Sequence, residues 1–258
     1  MGEHGLAFWV ETNEHCLLFD TGQGLVLANN AGKLKLDLDA VDTVVLSHGH
    51  YDHTGGLASL LRCGTREVRL YAHPDALLPK YSKKDGTARK IGIPFDSRQA
   101  LLNPRSKLIK TCESAEVARG AWATGEIPRH HCEEVIEDAF FLDPEGNERD
   151  SSLDDQALFI ETERGLVVLL GCAHSGVINT LDHVQHLAED KPICSVIGGM
   201  HLSSASGERV AWTIAELRRF DLQHLAPMHC TGMKASAALW NTFSGIYATG
   251  GVGSVYEF

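Results

Sequence analysis

Apolar runs and their periodicity divide the chain into an ordered first third, a weakly patterned middle and a strongly patterned second half. Ala7-Phe8-Trp9-Val10 and Cys16-Leu17-Leu18-Phe19 read as strands joined by a turn at Asn13-Glu14 and ending at Asp20-Thr21-Gly22. Leu25–Ala31 predicts a helix. The unbroken, β-branched run Thr43–Ser47 predicts a buried strand. Gly55–Arg62 follows as a helix capped by Thr54, and Val68–Ala72 as a strand ending at His73-Pro74. From residue 75 to 152 the pattern weakens. Tyr81–Gly86 and Asp143–Asn147 read as loops, with short strands at Lys107–Lys110 and Ala121–Thr124. Long irregular segments are often binding loops, so 75–152 is expected to be an insertion covering a site within one domain spanning 1–258.

Order returns with a hairpin, Ala157–Thr162 and Leu166–Leu170 around Glu163-Arg164-Gly165. Phe8-Trp9-Val10-Glu11-Thr12 is echoed by Leu158-Phe159-Ile160-Glu161-Thr162. Thr43–Leu46 running into His48 is echoed by Ser195–Ile197 running into His201, and Val68–Ala72 before His73 by His224–Met228 before His229. All three echoes share an offset of roughly 150 residues, the signature of two related halves. Helices are predicted at Val177–Leu187, Glu208–Phe220 and Met233–Phe243, and further strands at Leu225-Ala226-Pro227 and Val252–Phe258. An α/β fold follows, two central sheets with helices outside.

Composition narrows the function. A net charge of −11 lacks the basic stripe that nucleic acid requires, so a small-molecule substrate is expected and a nucleic-acid partner is not. No apolar stretch approaches the ~20 residues of a membrane helix. The start Met1-Gly2-Glu3-His4 is polar and acidic, unlike a signal peptide. Seven cysteines with no CxxC pair predict a reducing, cytoplasmic setting, with Cys16, Cys63 and Cys194 as core fillers.

The chemistry concentrates after the strand at Thr43. Ser47-His48-Gly49-His50-Tyr51-Asp52-His53-Thr54-Gly55-Gly56 packs three imidazoles and a carboxylate into six residues. Such groups suit zinc, manganese or iron, and would compete for protons without a cation among them. In an extended segment His48 and His50 project to one side, so both can face one ion. Three later loops also offer ligands: Gly171-Cys172-Ala173-His174-Ser175-Gly176, Gly198-Gly199-Met200-His201-Leu202 and Pro227-Met228-His229-Cys230-Thr231-Gly232. Each follows a predicted strand and precedes a helix, where open sheets carry functional loops. A lone histidine at a strand end is usually structural. Beside the tetrad, His174 and His229 are read as ligands.

The tetrad resembles the HxHxDH signature of the metallo-β-lactamase superfamily, and Asp20-Thr21-Gly22 resembles its first motif. Glu3-His4-Gly5-Leu6, Gly125-Glu126-Ile127-Pro128-Arg129, Asp154-Asp155-Gln156-Ala157-Leu158 and the three loops extend the likeness. They resemble one subgroup, that of a dihydropterin ribofuranosyl-aminobenzene-phosphate synthase. The resemblance implies a four-layer αββα sandwich with one or two divalent metal ions, zinc ahead of manganese or iron. It implies His48 and His50 on the first metal, Asp52 and His53 on the second, and His174 and His229 completing the set. Asp20 would orient a ligand imidazole or bridge to the site. Where the family's fourth motif has glycine-aspartate, this chain has Gly171-Cys172, which puts Cys172 near the metal, bound or not. His201 stays open between ligand, proton donor and substrate contact. Members with iron pairs carry glutamate where His50 stands, which counts against a redox role. In the subgroup a strand lies upstream of Glu3-His4, so here the first sheet is expected without it or the natural start lies earlier. Glu3 and His4 are read either as approaching the site or as a frayed terminus.

The expected activity is a metal-activated hydroxide acting on a phosphorylated or ester-like small molecule, with Asp52 binding metal and orienting the hydroxide and His201 as general acid. Arg129, Lys83, Lys84 and Arg89 are candidates to hold a phosphate or carboxylate, against the plainer reading as surface charge. The rivals are a generic phosphodiesterase, a lactone or thioester hydrolase, and a non-catalytic metal sensor.

Overall fold

The computed structural model describes residues 1–12, 14–84, 86–135 and 139–258, so Asn13 of the expected turn lies outside the described residues, as does the side chain of Cys63. By contact the chain forms two compact units, Met1–Cys112 with Glu137–Asp154, and Glu113–Ile136 with Asp155–Phe258.

In the first unit β1 (Phe8–Glu11), β2 (Cys16–Phe19), β3 (Thr43–Val45), β4 (Val68–Ala72) and β7 (Ser106–Lys110) form one sheet in that order. β1 and β2 are antiparallel, and β3, β4 and β7 continue in parallel from β2. A parallel strand covered on both faces needs apolar side chains at successive positions, and all three residues of β3 are buried. Leu18, Val44, Leu46, Leu57, Leu60, Leu61 and Leu70 form this unit's core. A small sheet of β5 (Tyr81–Lys84), β6 (Thr87–Lys90) and β10 (Phe140–Phe141) completes it.

The second unit repeats the scheme. β11 (Leu158–Thr162) and β12 (Gly165–Leu170) form an antiparallel hairpin, and β13 (Ile193–Gly199) and β14 (His224–Met228) continue in parallel from β12. β9 (Ala121–Ala123) and β8 (Ala115–Ala118) extend the other edge. The common topology, a hairpin and then two parallel strands, is what the offset of the sequence echoes predicts. α5 (Val177–Leu187) buries Val177, Ile178, Leu181 and Val184, a helical stripe laid on the core. α6 (Gly207–Leu217) and α7 (Met233–Thr242) add Leu217, Ala235 and Leu239. The architecture is therefore α/β, mixed sheets with helices, as the pattern predicts.

Several expectations are corrected. The helix expected over Gly55–Arg62 stands as α3 (Leu57–Cys63), but Thr54 does not cap it: Thr54 ends a separate short helix, α2 (Tyr51–Thr54), and its hydroxyl donates back to the His50 carbonyl at 2.9 Å. The break falls at Gly55-Gly56 because backbone crosses there: added Cβ atoms would meet Gln23 O at 2.0 Å and Thr21 O at 2.1 Å. The first helix, α1, runs Leu27–Leu34 and ends at Lys35 in the left-handed region. Tyr81–Lys84, read as loop, pairs with Thr87–Lys90 as a hairpin whose polar sequence hides its period. No strand forms over Val252–Phe258, where the tail carries a turn. The remaining helix, α4 (Phe95–Ala100), was not foreseen.

The stretch 75–152 is more than loop. It supplies β7 to the first sheet and β8 and β9 to the second. The part lying against the tetrad is the small sheet and its flank: His50 bridges to Gly92, the Tyr51 amide donates to Ile91 O at 2.8 Å, and the Phe140 ring lies 5.2 Å from that of His50.

Candidate metal centre

In the first unit the chain leaves β3 at Leu46 and turns at once into the tetrad. Asp20, at the end of β2, is fully buried and holds that turn. One carboxylate oxygen accepts the Ser47 amide at 2.7 Å, and the other accepts the Ser47 hydroxyl at 2.7 Å and pairs with His53 Nδ1 at 2.6 Å. Ser47 Oγ stands 2.8 Å from His48 Nδ1. Two imidazoles are thus gripped at Nδ1 by one buried carboxylate, directly and through a hydroxyl, which fixes ring orientation and turns Nε2 towards the other donors. Asp20 thus positions the His53 ring directly and the His48 ring through Ser47.

The rings crowd. Centroids of His48 and His50 lie 4.5 Å apart, those of His48 and His53 4.2 Å apart, and Asp52 Oδ2 stands 3.9 Å from His53 Nε2. His48 Nε2 and His50 Nδ1 are 2.9 Å apart, a spacing two neutral rings hold by sharing one hydrogen and that both can exchange for bonds to a cation. With all four side chains buried, the chemistry of this donor set fits a divalent ion.

Sequence reasoning left the N-terminus open. Glu3 is anchored, its carboxylate accepting the amides of Gln23 at 2.8 Å and Leu25 at 2.9 Å, and His4 Nε2 comes to 3.5 Å from Asp52 Oδ2. Sequence reasoning missed a second support. Lys80, 1% exposed, places its ammonium 2.6 Å from Asp150 and 2.9 Å from Asp154, and Asp154 also accepts the Gly49 amide at 2.8 Å. Burial works against the Lys80 charge, but Asp154 and Asp150 outweigh it and hold its pKa above the ordinary 10.5. The paired carboxylates of Asp154-Asp155 were the signal. Asp154 ties to the tetrad's backbone, and within the second unit Asp155 accepts the Ser175 amide at 2.7 Å.

Of the basic candidates, Arg89 donates to the Tyr51 hydroxyl at 3.1 Å and stacks on that ring, one residue from Asp52. Lys83 is bound to the Glu145 carbonyl, and Lys84 is exposed. Arg129 reaches Ser175 Oγ at 3.2 Å in the second unit.

The second unit builds its donors at the ends of β12, β13 and β14. Cys172, His174 and His201 bring ligand atoms within 4.8 Å of one another, and so do Cys172, His229 and Cys230. The rings of His174 and His201 lie 4.4 Å apart. Three corners here are left-handed without being glycine: Ala173 at φ 55°, His201 at 47° and His229 at 53°, matching Asp20 at 62° in the first unit. Such backbone costs of order 1 kcal/mol per residue and gathers where side chains must be aimed. Burial alone raises the Cys230 thiol, but hydrogen bonding to Cys172 and His201 and the His201 charge bring it down to about 5. Glu134, which motif reading passed over, is buried and accepts the Ile178 and Asn179 amides at the start of α5. It also pairs with Arg209 at 2.8 Å, and burial raises its pKa despite these contacts.

A model of the metallo-β-lactamase superfamily matches residues 2–182. An uncharacterised protein of Methanocaldococcus jannaschii is 30% identical over 253 residues, spanning 98% of this chain and 93% of its own length. From the same organism, 7,8-dihydropterin-6-methyl-4-(β-D-ribofuranosyl)-aminobenzene-5′-phosphate synthase is 26% identical over 279 residues, spanning 99% and 90%. Among solved structures, Tm1679, a metal-dependent hydrolase of the β-lactamase superfamily, is similar with a TM-score of 0.82 and 29% identity over 99% of this chain and 92% of that one. YhfI of Bacillus subtilis, a metallo-β-lactamase fold protein, has a TM-score of 0.59 at 15% identity over 97% and 91%, a likeness of fold alone. Among the described residues no helix is long and apolar enough to cross a membrane. With its donor loops at the strand ends and its matching first two-thirds, the chain belongs to the metallo-β-lactamase superfamily.

Proposed function

We propose that the protein is a cytoplasmic, metal-dependent enzyme acting on a phosphate-bearing small molecule, with His48, His50, Asp52, His53, His174 and His229 as its metal donors. The observation that carries the reading is the buried grip of Asp20 on His53 at 2.6 Å and, through Ser47, on His48. Metal-binding imidazoles are commonly held this way at the nitrogen that faces away from the ion, which supports the reading. One or two divalent ions, zinc first, would supply Lewis acidity and acidify a water towards neutrality.

The chain's own groups then have distinct work. Asp52 orients the attacking water and takes its proton. His201 returns a proton to the leaving oxygen. Arg89, fixed on Tyr51 next to Asp52 in the first unit, receives the phosphate. The pterin-related synthase carries a 5′-phosphate product in its name, which supports a phosphorylated substrate and a transferase-type reaction here. The likeness to Tm1679 supports hydrolysis as the second reading.

Chelation tests this. The protein stripped of metal should lose turnover of a chromogenic phosphodiester and regain it with zinc or manganese. Turnover that survives stripping would refute metal dependence. A metal-replete protein inert towards phosphodiesters, phosphomonoesters and lactones would favour a sensor.

A further inference from the structure

We infer that the second unit carries a sulfur-ligated metal site in which Cys230, beside Cys172 and His229, binds the ion directly. The inference rests on the metal-dependent reading above and adds to it a residue and a donor class. β12, β13 and β14 run parallel, so the loops that leave them emerge at one edge of the sheet. Cys172 comes from the first loop, and His229 and Cys230 from the third, with ligand atoms all within 4.8 Å of one another. Donors sharing one tetrahedral zinc stand about 3.3–3.8 Å apart, from bond lengths of about 2.0–2.3 Å, so a small inward movement of the side chains closes the site.

Two further observations set Cys230 apart from a core filler such as Cys194, which lies buried in the apolar strand β13. The His201 amide donates to Cys230 Sγ at 3.3 Å, and that Sγ lies 3.6 Å from the Cys172 carbonyl oxygen, so the sulfur is held at the meeting of all three loops. Gly199 clears the space: a Cβ added there would stand 2.7 Å from Cys230 Sγ and 2.3 Å from Gly171 O. The left-handed turn at His229 bends the chain so that consecutive side chains, 229 and 230, serve the same cluster. Thiolates favour zinc, cobalt and ferrous iron over manganese and magnesium. Sulfur ligation therefore favours zinc over manganese at this site in the second unit.

Cobalt(II) added to the stripped full-length protein tests the inference without recourse to activity. The expected result is a near-ultraviolet sulfur-to-cobalt charge-transfer band. In Cys230→Ser that band should fall by roughly half, one of two sulfur donors being lost, with cobalt still bound. Cys172→Ser should behave alike, whereas Cys112→Ser with Cys132→Ser, both exposed in the native protein, should keep the whole band. Should Cys230→Ser fail to fold, the wild type still decides, because bound cobalt must then shield thiols from a disulfide reagent as well as give the band. Cobalt bound without the band, or a band unchanged in Cys230→Ser, overturns sulfur ligation and leaves the metal-dependent reading standing. No cobalt bound at all overturns both.

Discussion

The two units share a topology and differ in how they hold their donors. In the first, a hydrogen-bonded framework does the work: Asp20 grips His53 and Ser47, and Lys80 with Asp154 pins the Gly49 amide. Its donors are nitrogen and oxygen. In the second, left-handed corners at Ala173, His201 and His229, a device the first unit uses at Asp20, set the loops, and the candidate donors include sulfur. One strand-loop-helix plan thus presents candidate metal ligands in two ways. The first is rigid through buried charge, the second through chain geometry. The first should be vulnerable to loss of a charge partner, and the second to the addition of a side chain.

Lys80→Met gives the largest expected effect. It strands Asp150 and Asp154 in a buried setting and should cost about 3–5 kcal/mol in denaturant unfolding. The pH dependence has a definite sign. The folded Lys80 pKa lies above 10.5, so its contribution is complete below that value and is lost as pH rises through the folded pKa. The gap between wild type and Lys80→Met should stay constant at neutral pH and narrow only in strong alkali. A gap that narrows near pH 7 would show that the lysine is not held as described.

Gly199→Ala strikes the second unit. The new methyl meets Gly171 O and Cys230 Sγ, and should cost about 1–3 kcal/mol while weakening the cobalt-thiolate band. Unchanged stability and spectrum would mean that the glycine clears nothing. Asp20→Asn sharpens the contrast from the other side. It should lower metal affinity roughly 10–100-fold by calorimetry and leave the thiolate band in place. Loss of that band would erase the distinction between the units. The smallest effect belongs to Thr54→Val, which removes the bond to His50 O and should cost about 1 kcal/mol.

Much of this was legible in the sequence because the signals are local. The hairpins and parallel strands announce themselves by apolar runs, α5 by its stripe, and the tetrad by ligand density within six residues. What escaped depends on distant partners. Lys80 looks like any lysine until Asp150 and Asp154, some seventy residues on, enclose it. Cys230 carries no role of its own beside His229 in the sequence until Cys172 is brought to it. The Gly55-Gly56 break could not be read because its cause, the passing backbone at Thr21 and Gln23, lies over thirty residues upstream. The β5–β6 hairpin was hidden by charge: an edge of Lys83, Lys84, Arg89 and Lys90 has no apolar alternation to detect.

Elemental analysis of two double variants, each assayed for phosphodiester turnover, tests the account most directly: His48→Ala with His50→Ala in the first unit, and His174→Ala with His229→Ala in the second. The account predicts that each pair, folded by circular dichroism, is purified deficient in metal and has lost turnover. Wild-type metal content together with wild-type turnover in either pair would contradict it.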